Sequence, residues 1–331
     1  MDGKVTDVDF KLNLVKVQYT DKSVDVFDFG DARGDASGLS INHNLSLMPN
    51  IKPGASVKAD DIITYHSDFF YLDHTTKQLS WAHGVPATVA IMPKDVTLQD
   101  SCMVSNEFAK KLGFESVYNR AIHITSDMIV DGSVSIGDKV SYNDVLIKLR
   151  YEDTADIIGS DVDELFADLK QVEYRSKNEG VISDIKIYHV AEVLNQSLTK
   201  FISKMSYGDR RKANATKGTI REDRYITSTR VAQDTRIEGV ALGENDILIV
   251  FYIKSDVACG VGDKLVFGWQ LKSVIGRVEP NQMITDADEE IDVVFGANSV
   301  FHRVVLSPII TGIMDKIIIQ AEQDILAMYF D

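Results

Sequence analysis

Short apolar runs broken by glycine, aspartate and asparagine set the rhythm of this chain. Val15-Lys16-Val17-Gln18-Tyr19, Thr88-Val89-Ala90-Ile91-Met92 and Ile247-Leu248-Ile249-Val250-Phe251-Tyr252-Ile253 are rich in β-branched and aromatic residues and have the length of strands. The third run is too apolar to show one face to water, so it is expected at the centre of a sheet. Helical spacing is rarer. Asp161 to Leu169 sets Val162, Leu165, Phe166 and Leu169 on one face, behind Ser160 as N-cap. Val190 to Met205 carries Val193, Leu194, Leu198, Phe201 and Ile202 at helical intervals. Ile309 to Tyr329 gives a C-terminal helical region, with Gly312 as a weak point. The pattern predicts a β-rich α+β fold with a few helices.

One stretch is written twice. Ile51-Lys52-Pro53-Gly54-Ala55-Ser56-Val57 through Asp61-Ile62-Ile63 aligns with Val134-Ser135-Ile136-Gly137-Asp138-Lys139-Val140 through Asp144-Val145-Leu146. Each has an apolar residue shortly before glycine, valine three after it, and aspartate followed by two apolar residues. That predicts a strand, a glycine turn, a short strand, a polar turn and another strand. A third copy begins at Gly262-Asp263-Lys264-Leu265 and then diverges. Such units are common in β-barrels and carrier domains, so alone they indicate only a barrel-like domain.

Charge changes the picture in one place. Residues 206–233 hold Asp209-Arg210-Arg211-Lys212, then Lys217, Arg221, Arg224 and Arg230, with little apolar content. A solvated connector is the plain expectation and a nucleic-acid-facing loop the sharper one. The whole 331-residue chain carries a net charge of −15, which argues against a free-standing nucleic-acid binder but leaves room for a local cationic patch. Its 44% apolar and 26% charged composition is that of an ordinary globular protein, without a run long enough to span a bilayer. Met1-Asp2-Gly3-Lys4 lacks the start of a signal peptide.

Other candidate chemistries are thin. Cys102 and Cys259 match no zinc spacing and read as buried core thiols. The seven histidines show no paired spacing, so scattered structural or surface roles are expected, with no metal ligands among them. Asp286-Ala287-Asp288-Glu289-Glu290 reads as a solvated turn rather than a cation cage, and no Gly-x-Ser-x-Gly nucleophile motif occurs.

Several separate stretches, in order, resemble the C-terminal half of the β subunit of multisubunit RNA polymerase. They are Leu39-Ser40-Ile41-Asn42-His43-Asn44 with Gly54 and Asp61-Ile62-Ile63; Pro86-Ala87-Thr88-Val89-Ala90-Ile91-Met92-Pro93 with Thr97-Leu98-Gln99-Asp100-Ser101 and Val104-Ser105; and Ala121-Ile122-His123-Ile124. Asn178-Glu179-Gly180-Val181-Ile182-Ser183-Asp184-Ile185-Lys186-Ile187-Tyr188 follows. Next come Ile247 to Ile253 leading into Val261-Gly262-Asp263-Lys264, and Ile291-Asp292-Val293-Val294-Phe295 running on to His302-Arg303. Residues 206–233 are the main part left unmatched. Lys264 and Lys272 keep the eight-position separation of the family's lysine pair, although most residues between them have changed.

The resemblance implies a double-psi β-barrel with an associated small β domain of the hybrid-barrel kind. On it, residues 1–50 are N-terminal strands entering the barrel region, 51–150 the barrel and hybrid-motif region, and 151–235 a helical and basic insertion. Residues 236–308 then complete the barrel, and 309–331 form the C-terminal helix. It also implies template-directed nucleotidyl transfer, in which Lys264 and Lys272 hold the RNA 3′-end or initiating-nucleotide phosphates and Arg303 grips the incoming triphosphate. Asp100 falls on a family acid near the second magnesium. Gln99 stands where the family has glutamate, so that pair has lost one charge. The magnesium belongs mainly to the β′-type partner, and this chain is expected to be inactive alone. The implied partners are β′-type chains, an N-terminal β-type chain, DNA template, RNA transcript, nucleoside triphosphates and a promoter-specificity subunit, with no membrane. The lack of the family's long N-terminal half and its last segment resembles the split β subunits of jumbo bacteriophages, which implies the infected host cytoplasm or the virion. The alternative is a non-catalytic barrel scaffold or assembly protein derived from such a subunit.

Overall fold

The computed structural model describes residues 1–36, 39–73, 76–82, 84–151, 171–190, 192, 194–225, 229–268, 270–303 and 306–330. The fold is β-rich α+β, with strands outnumbering helices throughout. Two units form, each from segments distant in sequence: residues 1–82 with 115–256, and residues 83–114 with 257–331. The unit boundaries thus fall inside the segments 51–150 and 236–308 distinguished above.

The first unit is built around a sheet in which Asp246–Val257 lies between Gly180–His189 and Phe114–Thr125. Ile247 through Tyr252 are all buried, as their unbroken apolar run requires. The pairing with Gly180–His189 is antiparallel, from Val181 opposite Lys254 to His189 opposite Ile247. Helix Gln196–Met205 covers this sheet with Leu198, Phe201, Ile202 and Met205. It starts six residues later than the apolar spacing predicts, because Asn195 caps it: its side chain accepts from the Leu198 N–H at 2.9 Å. The predicted helix at residues 161–169 lies outside the described residues.

Part of the basic stretch is helical, Tyr207–Thr216, and several of the stretch's cations have partners within the unit. Lys212 pairs with Asp28 at 2.7 Å, Arg221 pairs with the buried Asp25 at 3.0 Å, and Arg210 donates to the Ser203 carbonyl at 2.6 Å. Arg221 also lies over the Phe27 ring at 4.6 Å. The density of cations in sequence matched acids on the N-terminal strands, which residue spacing could not reveal.

The second unit holds a five-stranded sheet in the order Val89–Ile91, Val293–Phe295, Ser101–Ser105, Leu271–Glu279, Lys264–Phe267. Two of its pairings are parallel and join segments far apart in sequence: Val89 opposite Val293, and Ser101 opposite Val274. Cys102 and the half-buried Cys259 are both free and pack in this unit's core, where burial pushes both thiols above their ordinary range. Asp286 to Glu289 lies in the turn of a small hairpin between Met283–Ile284 and Glu290–Ile291. The last helix, Ser307–Phe330, runs straight through Gly312. Exposed apolar residues, among them Ile310, Ile313, Ile317, Ile319 and Leu326, lie on all sides of it. No helix among the described residues is long and apolar enough to cross a membrane.

The repeated unit has a shared backbone device, and all three copies have it. Gly54, Gly137 and Gly262 adopt φ of 90°, 94° and 99°, at the third residue of a four-residue turn, a position that glycine enters without strain. Each glycine N–H donates to one strand residue's carbonyl, and that residue's N–H donates back to the carbonyl just after the glycine. The partners are Val5, Ile182 and Ile275, with all six bonds between 2.8 and 2.9 Å. Each partner is a buried apolar side chain. In the second and third copies an aspartate tightens the turn: Asp138 accepts from Ser135 N–H at 2.7 Å, and Asp263 from Gly260 N–H at 2.8 Å.

Candidate functional site

The glycine turn at Gly262 delivers Lys264 as the first residue of strand Lys264–Phe267. That strand pairs antiparallel with Leu271–Glu279, placing Lys264 opposite Val274 and Val266 opposite Lys272. Period-two alternation then sorts the side chains. Leu265, Phe267, Leu271 and Ser273 turn inward, and the Phe267 ring packs 5.1 Å from Phe295. Lys264, Val266 and Lys272 share the outer face, all exposed. The two lysines are diagonal neighbours across the pair, a relation that sets residues about 7–8 Å apart. Among the described residues no carboxylate pairs with either ammonium, so both charges face solvent.

Gln99 and Asp100 reach the same hairpin. Both take positive φ, 49° and 23°, at the turn that enters strand Ser101–Ser105. The Asp100 carbonyl accepts from Val274 N–H at 2.9 Å and from the Ser273 hydroxyl at 3.1 Å. The backbone of Asp100 is therefore fixed beside the residue that faces Lys264. Arg303 closes helix Ala297–Arg303, which follows directly on strand Val293–Phe295; its side chain lies outside the described residues. Gly296 makes that junction, and any side chain there would collide with the Thr97 carbonyl, two residues before Gln99. The fold thus gathers Lys264, Lys272, Gln99 and Asp100 around one hairpin and brings the Arg303 backbone into the same unit.

This arrangement can bind anions. Two unneutralised ammonium groups on one exposed β-face offer point charges to phosphate oxygens, and the flexible lysine stems let each adjust its reach. Among the described residues it holds no nucleophile with an adjacent base. The Asp100 carboxylate, with an amide at Gln99 beside it, makes no cation cage among the described residues, so a magnesium ion at this face would need acids from another chain.

A different cleft, of 380 Å³, opens in the first unit beside Asp31, Arg33, Asn42, Lys186 and Tyr252. Its charges are already matched. Lys254 lies 3.5 Å from Asp31 and 3.3 Å from Glu115, and Asn42 donates to Glu115 at 2.6 Å. Arg33 stacks over Tyr252 at 4.2 Å. Burial alone would lower the Lys186 ammonium, but the carboxylates of Asp184 and Asp209 hold it above its ordinary range. A cleft with its cations so spent is organised for stability of the sheet rather than for gripping phosphate. Asn42 serves here as a hydrogen-bond hub.

The histidines depart from expectation. His43 and His66, 23 positions apart in sequence, stack edge to face with ring centroids 4.5 Å apart, and Asp68 adjoins them. Only the pairing of Leu39–Leu47 with Thr64–His66, which sets Leu45 opposite His66, brings them together. The alternation of His43 with Leu45 was the sole trace of this in the sequence.

No family model matches this chain, and no curated protein matches it at a significant level.

Proposed function

We propose that the chain is a C-terminal β-type subunit of a multisubunit DNA-directed RNA polymerase, of the split kind found in jumbo bacteriophages. The observation that carries this reading is the shared exposed face of Lys264 and Lys272. Two lysines kept eight positions apart through a changed intervening sequence become diagonal neighbours with unneutralised charges. Attack of an RNA 3′-oxygen on the α-phosphorus of a nucleoside triphosphate, with pyrophosphate leaving, concentrates negative charge that such cations stabilise. Magnesium bound mainly by the β′-type partner would supply Lewis-acid activation there. On this reading Lys264 and Lys272 hold the RNA 3′-end, Arg303 holds the triphosphate, and Asp100 and Gln99 line the approach.

The second unit is then the double-psi barrel. Its two long-range parallel pairings, interleaved with an antiparallel one, support that reading. The exposed apolar surface of the last helix supports a chain that works within an assembly, with an N-terminal β-type chain, β′-type chains, template DNA and a promoter-specificity subunit as its partners. Its place is the infected host cytoplasm or the virion.

A barrel-derived scaffold without chemistry is the competing reading, favoured by the amide at Gln99. Reconstitution with the cognate polymerase chains separates the two. Lys264→Ala and Lys272→Ala are each expected to slow RNA extension by about 100-fold, the usual scale for losing one preorganised charge contact in a transition state. Extension at the wild-type rate in both variants would leave the scaffold reading standing.

A further inference from the structure

We propose that His43, His66 and Asp68 form a binding site for a divalent transition metal of the zinc class. One ligand atom from each of the three lies within 4.8 Å of the others. His43 and His66 occupy one face of the Leu39–Leu47 and Thr64–His66 pairing, since Leu45 stands opposite His66 and His43 is two residues before Leu45, and Asp68 lies in the turn that follows His66. Two imidazoles and one carboxylate are the donor set that zinc, iron(II), cobalt(II) and nickel(II) accept, whereas calcium and magnesium prefer oxygen alone. Bonds of about 2.0–2.2 Å to one ion require the three ligand atoms to draw closer together.

The surroundings are those of a built site. Asp68 is oriented through both carboxylate oxygens: one accepts from Asn44 N–H at 3.1 Å and the other from the Asn44 side-chain amide at 3.2 Å. Ser67 N–H and its hydroxyl both donate to the Asn44 carbonyl, at 2.9 and 3.0 Å, so the turn that carries Asp68 is fixed to the strand that carries His43. Such outer contacts hold a ligand's direction before the metal arrives. Gly34 faces the His43 ring, and a Cβ there would approach its Nε2 to 2.8 Å. The neighbouring strand thus leaves room for the imidazole. Independently, Nδ1 of His66 is buried with no hydrogen-bond partner among the described residues, a cost that direct ligation of a metal by that nitrogen would relieve. Packing of both rings on Phe69, at 6.1 and 5.3 Å, closes one side. Three protein ligands leave at least one coordination position open to water or to an anionic ligand.

The test compares zinc bound to the full-length chain, prepared without a polyhistidine tag, in wild type, His43→Gln, His66→Gln and the near-isosteric Asp68→Asn. Metal analysis after gel filtration should show one equivalent of zinc more in wild type than in any variant. Competition with a chromophoric chelator should place affinity at least tenfold lower in each variant. Circular dichroism identifies any variant that fails to fold, and Asp68→Asn, whose amide oxygen still accepts from Asn44 N–H and whose NH2 can meet the Asn44 side-chain oxygen once that amide flips, guards against that outcome. A wild type that binds no zinc at about 100-fold excess over protein would overturn the site. Zinc binding lost on changing either histidine but untouched by Asp68→Asn would equally overturn it, because it would show an exposed histidine pair without the carboxylate. Polymerase activity plays no part in this readout, so the result is independent of the reading given to the lysine face.

Discussion

The turns at Gly137 and Gly262 use one backbone device and come out differently. Each glycine near φ +95° clasps a buried isoleucine through two hydrogen bonds, and each is followed by an aspartate that caps the turn and then a lysine. After Gly137 the strand is only Lys139–Val140, and Lys139 faces Val181 across its pairing before a second aspartate turn redirects the chain. After Gly262 the strand runs on to Phe267, reverses through Gly268, and returns with Lys272 on the face that carries Lys264. The turn is structural in both places. What distinguishes the candidate anion site is the exit: four residues of strand and a tight reversal convert a lone lysine into a pair.

The largest effect should come from removing the clasped residue. Ile182→Ala and Ile275→Ala each empty a fully buried position, and each is expected to cost about 2–5 kcal/mol, read from denaturant titration. Equal costs would support a common device; a cost under about 1 kcal/mol at one site would show that its turn docks by hydrogen bonds alone. Next, Gly137→Ala and Gly262→Ala place a Cβ in open space but at a φ that side chains resist, so each should lose about 1–2 kcal/mol. A neutral result at either would mean that its turn relaxes to negative φ. The smallest effect on stability, within about 0.5 kcal/mol, is expected for Lys139→Ala and Lys264→Ala, both exposed. Here the comparison sharpens: only the second should weaken retention of the chain on a phosphorylated resin, in step with Lys272→Ala. Equal weakening by Lys139→Ala would remove the meaning attached to the pair.

Local chemistry made parts of this molecule readable. The central strand at Ile247 to Ile253 follows from its apolar run, and the C-terminal helix follows from its spacing. Asn195 shows how a boundary is missed: the apolar period continued N-terminal to it, yet one side-chain hydrogen bond set the start of the helix. Two ion pairs of the basic stretch are illegible in the sequence for another reason. Lys212 and Arg221 have partners, Asp28 and Asp25, nearly 200 residues upstream, and no local pattern records a partner at that distance.

By itself the sequence determined strand-forming runs, glycine turns and the eight-position lysine register, because propensity, φ preference and alternation act over a few residues. Tertiary structure decided the rest. Strand register placed Lys264 and Lys272 on one face, and the same kind of register brought His43 to His66 and Asp68. A shift of one residue in either pairing would turn those side chains to opposite faces, and that register is fixed by burial summed over the whole sheet.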